Sequence, residues 1–271
     1  MATIHSAGVP IHYELMGDGP AIVLVHGFFS SLEGNWGQSG WIDFLLARGR
    51  GVMALDCRGH GSSGKPHTSD AYDGNQMADD VIAVMDAAGL ERADLMGYSM
   101  GARIAMNLLA RYPDRFSSVV IGGAGLPPGS DAPMRATLAA ALTTDDVSTI
   151  TDPTALSFRQ FAESRKHDPR SIAGLDNDLK ALGACYSRYY KELLDEVDVV
   201  ALRGVQVPVL VVVGDRDEVL ASARVLAETV PGAELVLLPG EDHITATTAQ
   251  SYKDAVASFL TAHSPVDLLV R

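Results

Sequence analysis

The stretch "DLMGYSMGARIAM", residues 94–106, packs Gly97, Ser99 and Gly101 into five positions between an apolar run and a helical pattern. A plain turn is satisfied by Asn-Gly or Asp-Gly, which tolerate left-handed backbone without further help. Two glycines around a serine instead admit a strained turn that lifts a hydroxyl above the tip of a strand. The pattern G-x-S-x-G carries that meaning only where a strand feeds it and a helix leaves it. "ADLMG" (93–97) reads as a strand and "MGARIAMNLLARYP" (100–113) as a helix stopped by Pro113, so the context is met. Ser99 is therefore read as a nucleophile, against the plainer reading of an incidental serine in a tight turn.

The same alternation of strand and helix extends outward on both sides. "AIVLVHG" (21–27) is continuously apolar, as a strand buried on both faces should be, while "IHYELMG" (11–17) alternates like an antiparallel strand. "WIDFLLARG" (41–49) reads as a helix closed by Gly49, and "GVMALDCRG" (51–59) as the next strand and its exit loop. Met77, Val81, Val84 and Met85 recur at helical spacing within 75–90, ahead of a stop at Gly89. "FSSVVIGG" (116–123), "VPVLVVVGD" (207–215) and "AELVLLPG" (233–240) read as further strands, with helices at 222–231 and 247–263. The pattern predicts an α/β fold, a mostly parallel twisted sheet flanked by helices.

Residues 126–205 break this rhythm. They hold no long β-branched run; Leu138, Leu142, Leu156, Phe161, Ile172, Leu175, Leu179 and Leu182 suggest three or four short helices punctuated by prolines. The expected organisation is a core domain over 1–125 and 206–271 with a helical lid over 126–205. A structural bundle unrelated to any site is the alternative for that insertion.

Composition narrows the partners. The 271 residues are 47% hydrophobic and carry a formal net charge of −13, with no Lys/Arg cluster of the kind that nucleic acid or an anionic membrane rewards. The longest apolar runs are strand-sized, too short to span a bilayer. "MATIHSAGVPIHYELMGDG" lacks the basic-then-apolar order of a secretory leader. Cys57 and Cys185 lie far apart and outside any metal-ligand spacing, which fits a reducing compartment. A cytoplasmic protein with no nucleic-acid or membrane partner is expected; the oligomeric state is not legible. The eight histidines show no i, i+4 pairing, and the phosphate-loop spacings are absent, so no metal and no organic cofactor is expected.

Partners for Ser99 follow downstream. "VVVGDRDEV" (211–219) closes a strand at Gly214 and then offers Asp215 and Asp217. "LLPGEDHIT" (237–245) closes the following strand and offers His243. The order Ser…Asp…His, with both partners at the carboxyl ends of strands, is where open α/β sheets build their sites.

Taken with "HGFFSS" (26–31), "DCRGHGSS" (56–63) and "GYSMGA" (97–102), these loops make the chain resemble the α/β-hydrolase superfamily over nearly its whole length, the segment near 126–205 excepted. The resemblance is to its serine hydrolases, in an esterase- or lactonase-like branch. It implies the α/β-hydrolase fold, with Ser99 as nucleophile and His243 as general base. The family's acid stands three residues beyond the strand-closing glycine, which selects Asp217 and leaves Asp215 as the alternative. The backbone N–H groups of Phe28 and Met100 would form the oxyanion hole. His26 resembles the family's structural histidine, and Asp56, Arg58 and His60 read as scaffold. Trp36 and Trp41 are read as packing or pocket wall.

Phe29, Phe158, Phe161 and Tyr186, beside Phe28 and Met100, are the candidate substrate pocket, suited to a small, uncharged and largely apolar substrate. The reaction implied is hydrolysis of a carboxylic ester or lactone through a serine acyl-enzyme. Dehalogenases and epoxide hydrolases of this fold carry a carboxylate where Ser99 stands, which argues against both. Carbon–carbon bond hydrolases often carry Trp after the catalytic histidine, where this chain has Ile244. Carbon–carbon cleavage, cofactor-free perhydrolysis and a slow-turnover ligand receptor are the alternatives on the same triad.

Overall fold

A computed structural model describes residues 2–126, 132–166, 177–195 and 199–264. The chain opens with β1 (Ala2–Ser6) and β2 (Val9–Met16), an antiparallel hairpin turned at Ala7 and Gly8, both at positive φ. There follow β3 (Ala21–Val25), α1 (Trp41–Leu46), β4 (Gly51–Leu55), α2 (Gly74–Ala87), β5 (Ala93–Tyr98), α3 (Met100–Arg111) and β6 (Phe116–Gly122). Four helices come next: α4 (Ala132–Thr143), α5 (Pro153–Lys166), α6 (Leu179–Asp195) and α7 (Val199–Leu202). The chain then returns to the sheet with β7 (Val209–Gly214), α8 (Leu220–Thr229), β8 (Glu234–Leu238) and α9 (Gln250–His263).

The eight strands form one sheet in the order β1-β2-β4-β3-β5-β6-β7-β8. β2 pairs antiparallel with β4, and every pairing from β4 onward is parallel. The mostly parallel sheet flanked by helices is the expected one. Strand β1 was not anticipated, because four of its five residues face solvent wholly or in part and leave no apolar run to read. The insertion carries α6 at 17 residues, longer than the short helices expected; Ile172 and Leu175 lie outside the described residues.

The continuous apolar strands are explained by the two layers they serve. Val23 and Val25 of β3 face a cluster with Val81, Val84 and Met85 of α2 and Ile104 and Leu108 of α3. Ile22 and Leu24, one residue out of phase, face the opposite cluster with Trp41 and Leu45 of α1 and Tyr252 and Val256 of α9. Successive side chains of a strand point to opposite faces, so a strand covered on both sides has no polar phase. Each such side chain contributes on the order of 1.5–3 kcal/mol by leaving water. Trp36 and Trp41 are fully buried in the second layer, with the Trp41 indole N–H donating to the Thr247 carbonyl at 2.9 Å.

Buried polar groups fasten the loops at the carboxyl end of the sheet. Asp56 accepts from the backbone N–H of Leu32 at 2.7 Å and of Ser62 at 2.8 Å. Arg58 forks onto Asp80 with two bonds of 2.6 Å. His26 accepts from the Cys57 N–H at 3.0 Å through Nε2, which puts the proton on Nδ1, 2.8 Å from the Gly27 carbonyl. Burial lowers the pKa of His26, so this bridge is made by a neutral ring. The effect is to pin the loop after β3 to the loop after β4.

Candidate active site

Three loops converge at the carboxyl ends of β5, β7 and β8. Ser99 stands between β5 and α3 at φ 53°, ψ −108°, a conformation that costs a non-glycine residue roughly 1–3 kcal/mol. The surrounding contacts over-determine it. The Ser99 N–H donates to the Gly122 carbonyl at 2.8 Å, and its own carbonyl accepts from Arg103 N–H at 3.2 Å. A Cβ on Gly101 would stand 1.9 Å from the Val25 carbonyl oxygen, and one on Gly97 would stand 2.2 Å from the Gly101 carbonyl oxygen. Both positions therefore have to be glycine for strand and helix to approach this closely. Ser99 occupies the N-cap position of α3 yet makes no side-chain capping bond. A turn serine would cap the helix; this hydroxyl points elsewhere.

It meets His243. The imidazole Nε2 lies 3.0 Å from Ser99 Oγ, and Nδ1 lies 2.8 Å from Asp217 Oδ2. An ionised carboxylate only accepts, so Nδ1 carries the proton and Nε2 is the acceptor facing the serine. The Asp217 side chain is fully buried, and its other oxygen accepts from the Val219 N–H at 3.0 Å. Asp215 does something different. Its Oδ1 accepts from the Gly240 N–H at 2.8 Å, tying the loop after β7 to the loop after β8. Of the two acids left open by the order of residues alone, the structure brings Asp217 to the histidine and Asp215 to the neighbouring backbone.

A cleft of about 100 Å³ opens beside the serine, lined by Gly27, Phe28, Asn35, Ser99, His243 and Ile244 among others. Asn35 accepts from the Gly27 N–H at 2.8 Å and so fixes the loop that presents Phe28. Phe29, next in that loop, sits at φ 60°. Met100, the residue after Ser99, is fully buried at the start of α3.

The four residues expected to wall the pocket form an apolar seam one step away. Phe28 packs on Phe29 at 4.5 Å between ring centroids and on Tyr186 at 5.7 Å. Phe158 lies 5.2 Å from Phe29 and 5.1 Å from Tyr186. Phe161 touches Phe29 at 5.6 Å but is 42% exposed, so it serves the outside of the seam as much as the inside. None of Phe29, Phe158, Phe161 and Tyr186 lines the small cleft itself among the described residues.

Two contributors were not legible from residue order. The Tyr98 hydroxyl donates to the His243 carbonyl at 2.6 Å, holding the histidine loop over the elbow. Burial raises the Tyr98 pKa, with Asp217 and Asp242 adding to it, so the phenol stays protonated and remains a donor. Asn35 had no motif to announce it. Tyr98 did stand inside the quoted pentapeptide, where its position was visible and its partner was not. Among the described residues no group of three or more His, Cys, Asp or Glu side chains could hold a metal ion, and no helix is long and apolar enough to cross a membrane.

Comparison with known proteins bears on this geometry. Residues 20–146 match the family model described as alpha/beta hydrolase fold. A dihydrolipoyllysine-residue acetyltransferase component of an acetoin cleaving system from Pseudomonas putida is 31% identical over 259 residues, 93% of this chain; the chain spans 66% of that relative's own length. The crystal structure of the enol-lactonase from Burkholderia xenovorans LB400 is similar with a TM-score of 0.72 at 25% identity, covering 96% of this chain and all of that one. The bottromycin epimerase BotH, solved in complex with bottromycin A2, is similar with a TM-score of 0.75 at 26% identity, covering 95% of this chain and 98% of that one. These relatives are named for different reactions, so the choice of reaction falls to the site itself.

Proposed function

The chain belongs to the α/β-hydrolase fold family, and from that premise we propose that it hydrolyses a small carboxylic ester or lactone through an acyl-enzyme on Ser99. The observation that carries this reading is the chain Ser99 Oγ, His243, Asp217 at 3.0 and 2.8 Å, with the serine held in a strained turn and not used as a helix cap. An alcohol is a weak nucleophile at its own pKa and needs a base to take its proton as it attacks. His243 Nε2 takes that proton, and Asp217 stabilises the imidazolium and keeps the ring in its productive tautomer. The carbonyl carbon gains the Ser99 oxygen while its own oxygen becomes an oxyanion. The backbone N–H groups of Phe28 and Met100, on either side of the elbow, are the proposed donors to it. His243 then protonates the leaving alkoxide, and the same steps with water in place of serine release the acid.

The similarity to an enol-lactonase supports keeping lactones within the substrate class. The helices of residues 126–205 are assigned the part of a lid that sets the acyl preference, supported by the aromatic seam joining Phe158 and Tyr186 to Phe28. The test is a series of p-nitrophenyl esters of increasing acyl length, with Ser99→Ala as control. Ser99-dependent turnover with a burst of p-nitrophenol is the expected result. Tight binding with no turnover of any ester or lactone would instead make the protein a receptor.

A further inference from the structure

Gly27 is held from both sides beside the nucleophile. Its N–H donates to Asn35 Oδ1 at 2.8 Å, and its carbonyl accepts from His26 Nδ1–H at 2.8 Å and from the Ser30 N–H at 3.3 Å. That carbonyl shares a peptide plane with the Phe28 N–H. A trans peptide points its C=O and its N–H in opposite directions, so turning the Gly27 oxygen toward His26 and Ser30 turns the Phe28 N–H away from them. Asn35 Oδ1 and Ser99 Cβ each lie 3.4 Å from the place that a Cβ on Gly27 would take, and both residues line the cleft with His243. The side chain that holds Gly27 therefore stands next to the nucleophile.

Asn35 is itself firmly placed. It sits in a single turn, Glu33–Gly37, closed by a π-type bond from the Gln38 N–H to the Glu33 carbonyl at 2.9 Å. Such turns are rare and recur at functional sites. Its own N–H donates to the Ser31 carbonyl at 2.9 Å, its carbonyl accepts from the Ser39 hydroxyl at 2.5 Å, and the next residue, Trp36, is fully buried. The Gly27 N–H is a donor, so the carboxamide oxygen has to face it. Nδ2 is left buried with no hydrogen-bond partner among the described residues, which costs stability. An aspartate would present the same acceptor without that donor, but it would set a negative charge beside a developing oxyanion. The position calls for an acceptor that carries no charge.

We propose that Asn35 is a positioning residue for the reaction: its carboxamide oxygen, with the His26 ring on the other side of Gly27, aims the Phe28 N–H at the oxyanion. The inference rests on the hydrolase reading above, with Phe28 as an oxyanion donor. Without the acceptor, the Gly27 N–H turns to find another, the Gly27–Phe28 peptide tilts, and the donor is out of place when charge develops on the substrate oxygen. An ester carbonyl in the ground state carries little of that charge, so substrate binding is left nearly intact and the loss falls on kcat.

The experiment is Asn35→Leu, with Asn35→Asp as the variant that keeps the acceptor. Each is assayed on p-nitrophenyl butyrate, and kcat is expressed per site titrated to completion with a small p-nitrophenyl phosphonate, so that a misfolded fraction is not counted. Asn35→Leu should lower kcat by about 10- to 100-fold, short of the roughly 10²–10³ that follows outright removal of an oxyanion donor, with KM within about 3-fold of the parent. The rate at which the phosphonate labels Ser99 should fall in step, since its phosphoryl oxygen occupies the same hole. Asn35→Asp should stand between Asn35→Leu and the parent in kcat. A lower melting temperature with kcat per titrated site unchanged would make Asn35 scaffold alone and overturn the proposal. A rise in KM at constant kcat would overturn it too, as would an aspartate variant no better than the leucine one. Each of those results spares the hydrolase reading. A parent that cleaves no ester, yet whose Ser99 labelling is slowed by Asn35→Leu, would keep the positioning role and remove the hydrolase reading.

Discussion

The elbow around Ser99 and the helical insertion beside it build one site by opposite means. At the elbow, backbone meets backbone. Gly97 and Gly101 leave no room for a methyl group, and Ser99 is held at φ 53° by hydrogen bonds from both neighbouring elements. In the insertion, side chain meets side chain. Leu142, Ala162 and Leu182 close on Phe29, and Arg159 caps the end of α4 by donating to the carbonyls of Ala141, Leu142 and Thr144. Backbone crowding admits one residue type and therefore leaves a mark in sequence. Side-chain packing admits many solutions of similar volume and leaves almost none. On the proposed reading, chemistry that has to be the same in every turnover is assigned to the first kind of structure and substrate preference to the second.

The sharpest way to break this contrast is to remove the chemistry. Ser99→Ala and His243→Ala should each lower kcat for a good ester by on the order of 10³ or more, measured by steady-state hydrolysis. If Ser99→Ala keeps the parent's activity on every ester cleaved, the elbow is only a turn. Next comes the acid. Asp217→Asn should cost on the order of 10²–10⁴ in kcat, because the ring loses the partner that fixes its tautomer and stabilises its charge. Asp215→Asn should stay within about 10-fold, since that side chain braces the Gly240 backbone and not the histidine. A reversal of those two results would move the acid to Asp215.

Exchanging residues 126–205 for the corresponding segment of another family member should change which acyl chains are preferred. Ser99 should remain open to acylation by a small phosphonate. Loss of that labelling in a folded exchange variant would show that the insertion supports the elbow as well as the pocket.

A smaller effect is expected in the stability of the scaffold behind Phe28. Burial, aided by the neighbouring His26 and Lys65, lowers the His60 pKa from 6.5 to about 3, and burial lowers that of His26 as well. The unfolded chain protonates these rings below pH 6.5, while the folded chain keeps them neutral. Stability present above pH 6.5 is therefore lost as pH falls toward 3. In that window His60 contributes up to about 1.4 kcal/mol per pH unit, and His26 acts in the same direction. Urea denaturation at pH 7 and pH 5 should show the fall, and His60→Leu should reduce its slope by about one proton. A pH-independent unfolding free energy would mean that these rings titrate normally. The smallest change is Tyr98→Phe, which deletes the 2.6 Å bond to the His243 carbonyl. A loss of about 3- to 10-fold in kcat with KM unchanged is expected. A change in KM alone would make Tyr98 a substrate contact.

Much of the framework was determined by residue order. Apolar runs such as "AIVLV" have no polar phase because both faces of the sheet are covered, and that alone signals buried parallel strands. The glycines around Ser99 signal the elbow because sterics leave no other choice, and the loops after the last strands supply Asp215, Asp217 and His243 in the family's order. The tertiary structure decided what residue order left open. Residue order alone offers two carboxylates two positions apart, ranked only by the family resemblance in favour of Asp217; the turn after β7 directs Asp217 inward and Asp215 toward Gly240. Phe158 and Tyr186 were legible as apolar, but their separation from the small cleft depends on how α5 and α6 pack on the loop of Phe28 and Phe29. Asn35 and the partner of Tyr98 were invisible for the same reason. Their contacts join residues from 8 to 145 positions apart, and no local spacing encodes a distance that only the folded chain creates.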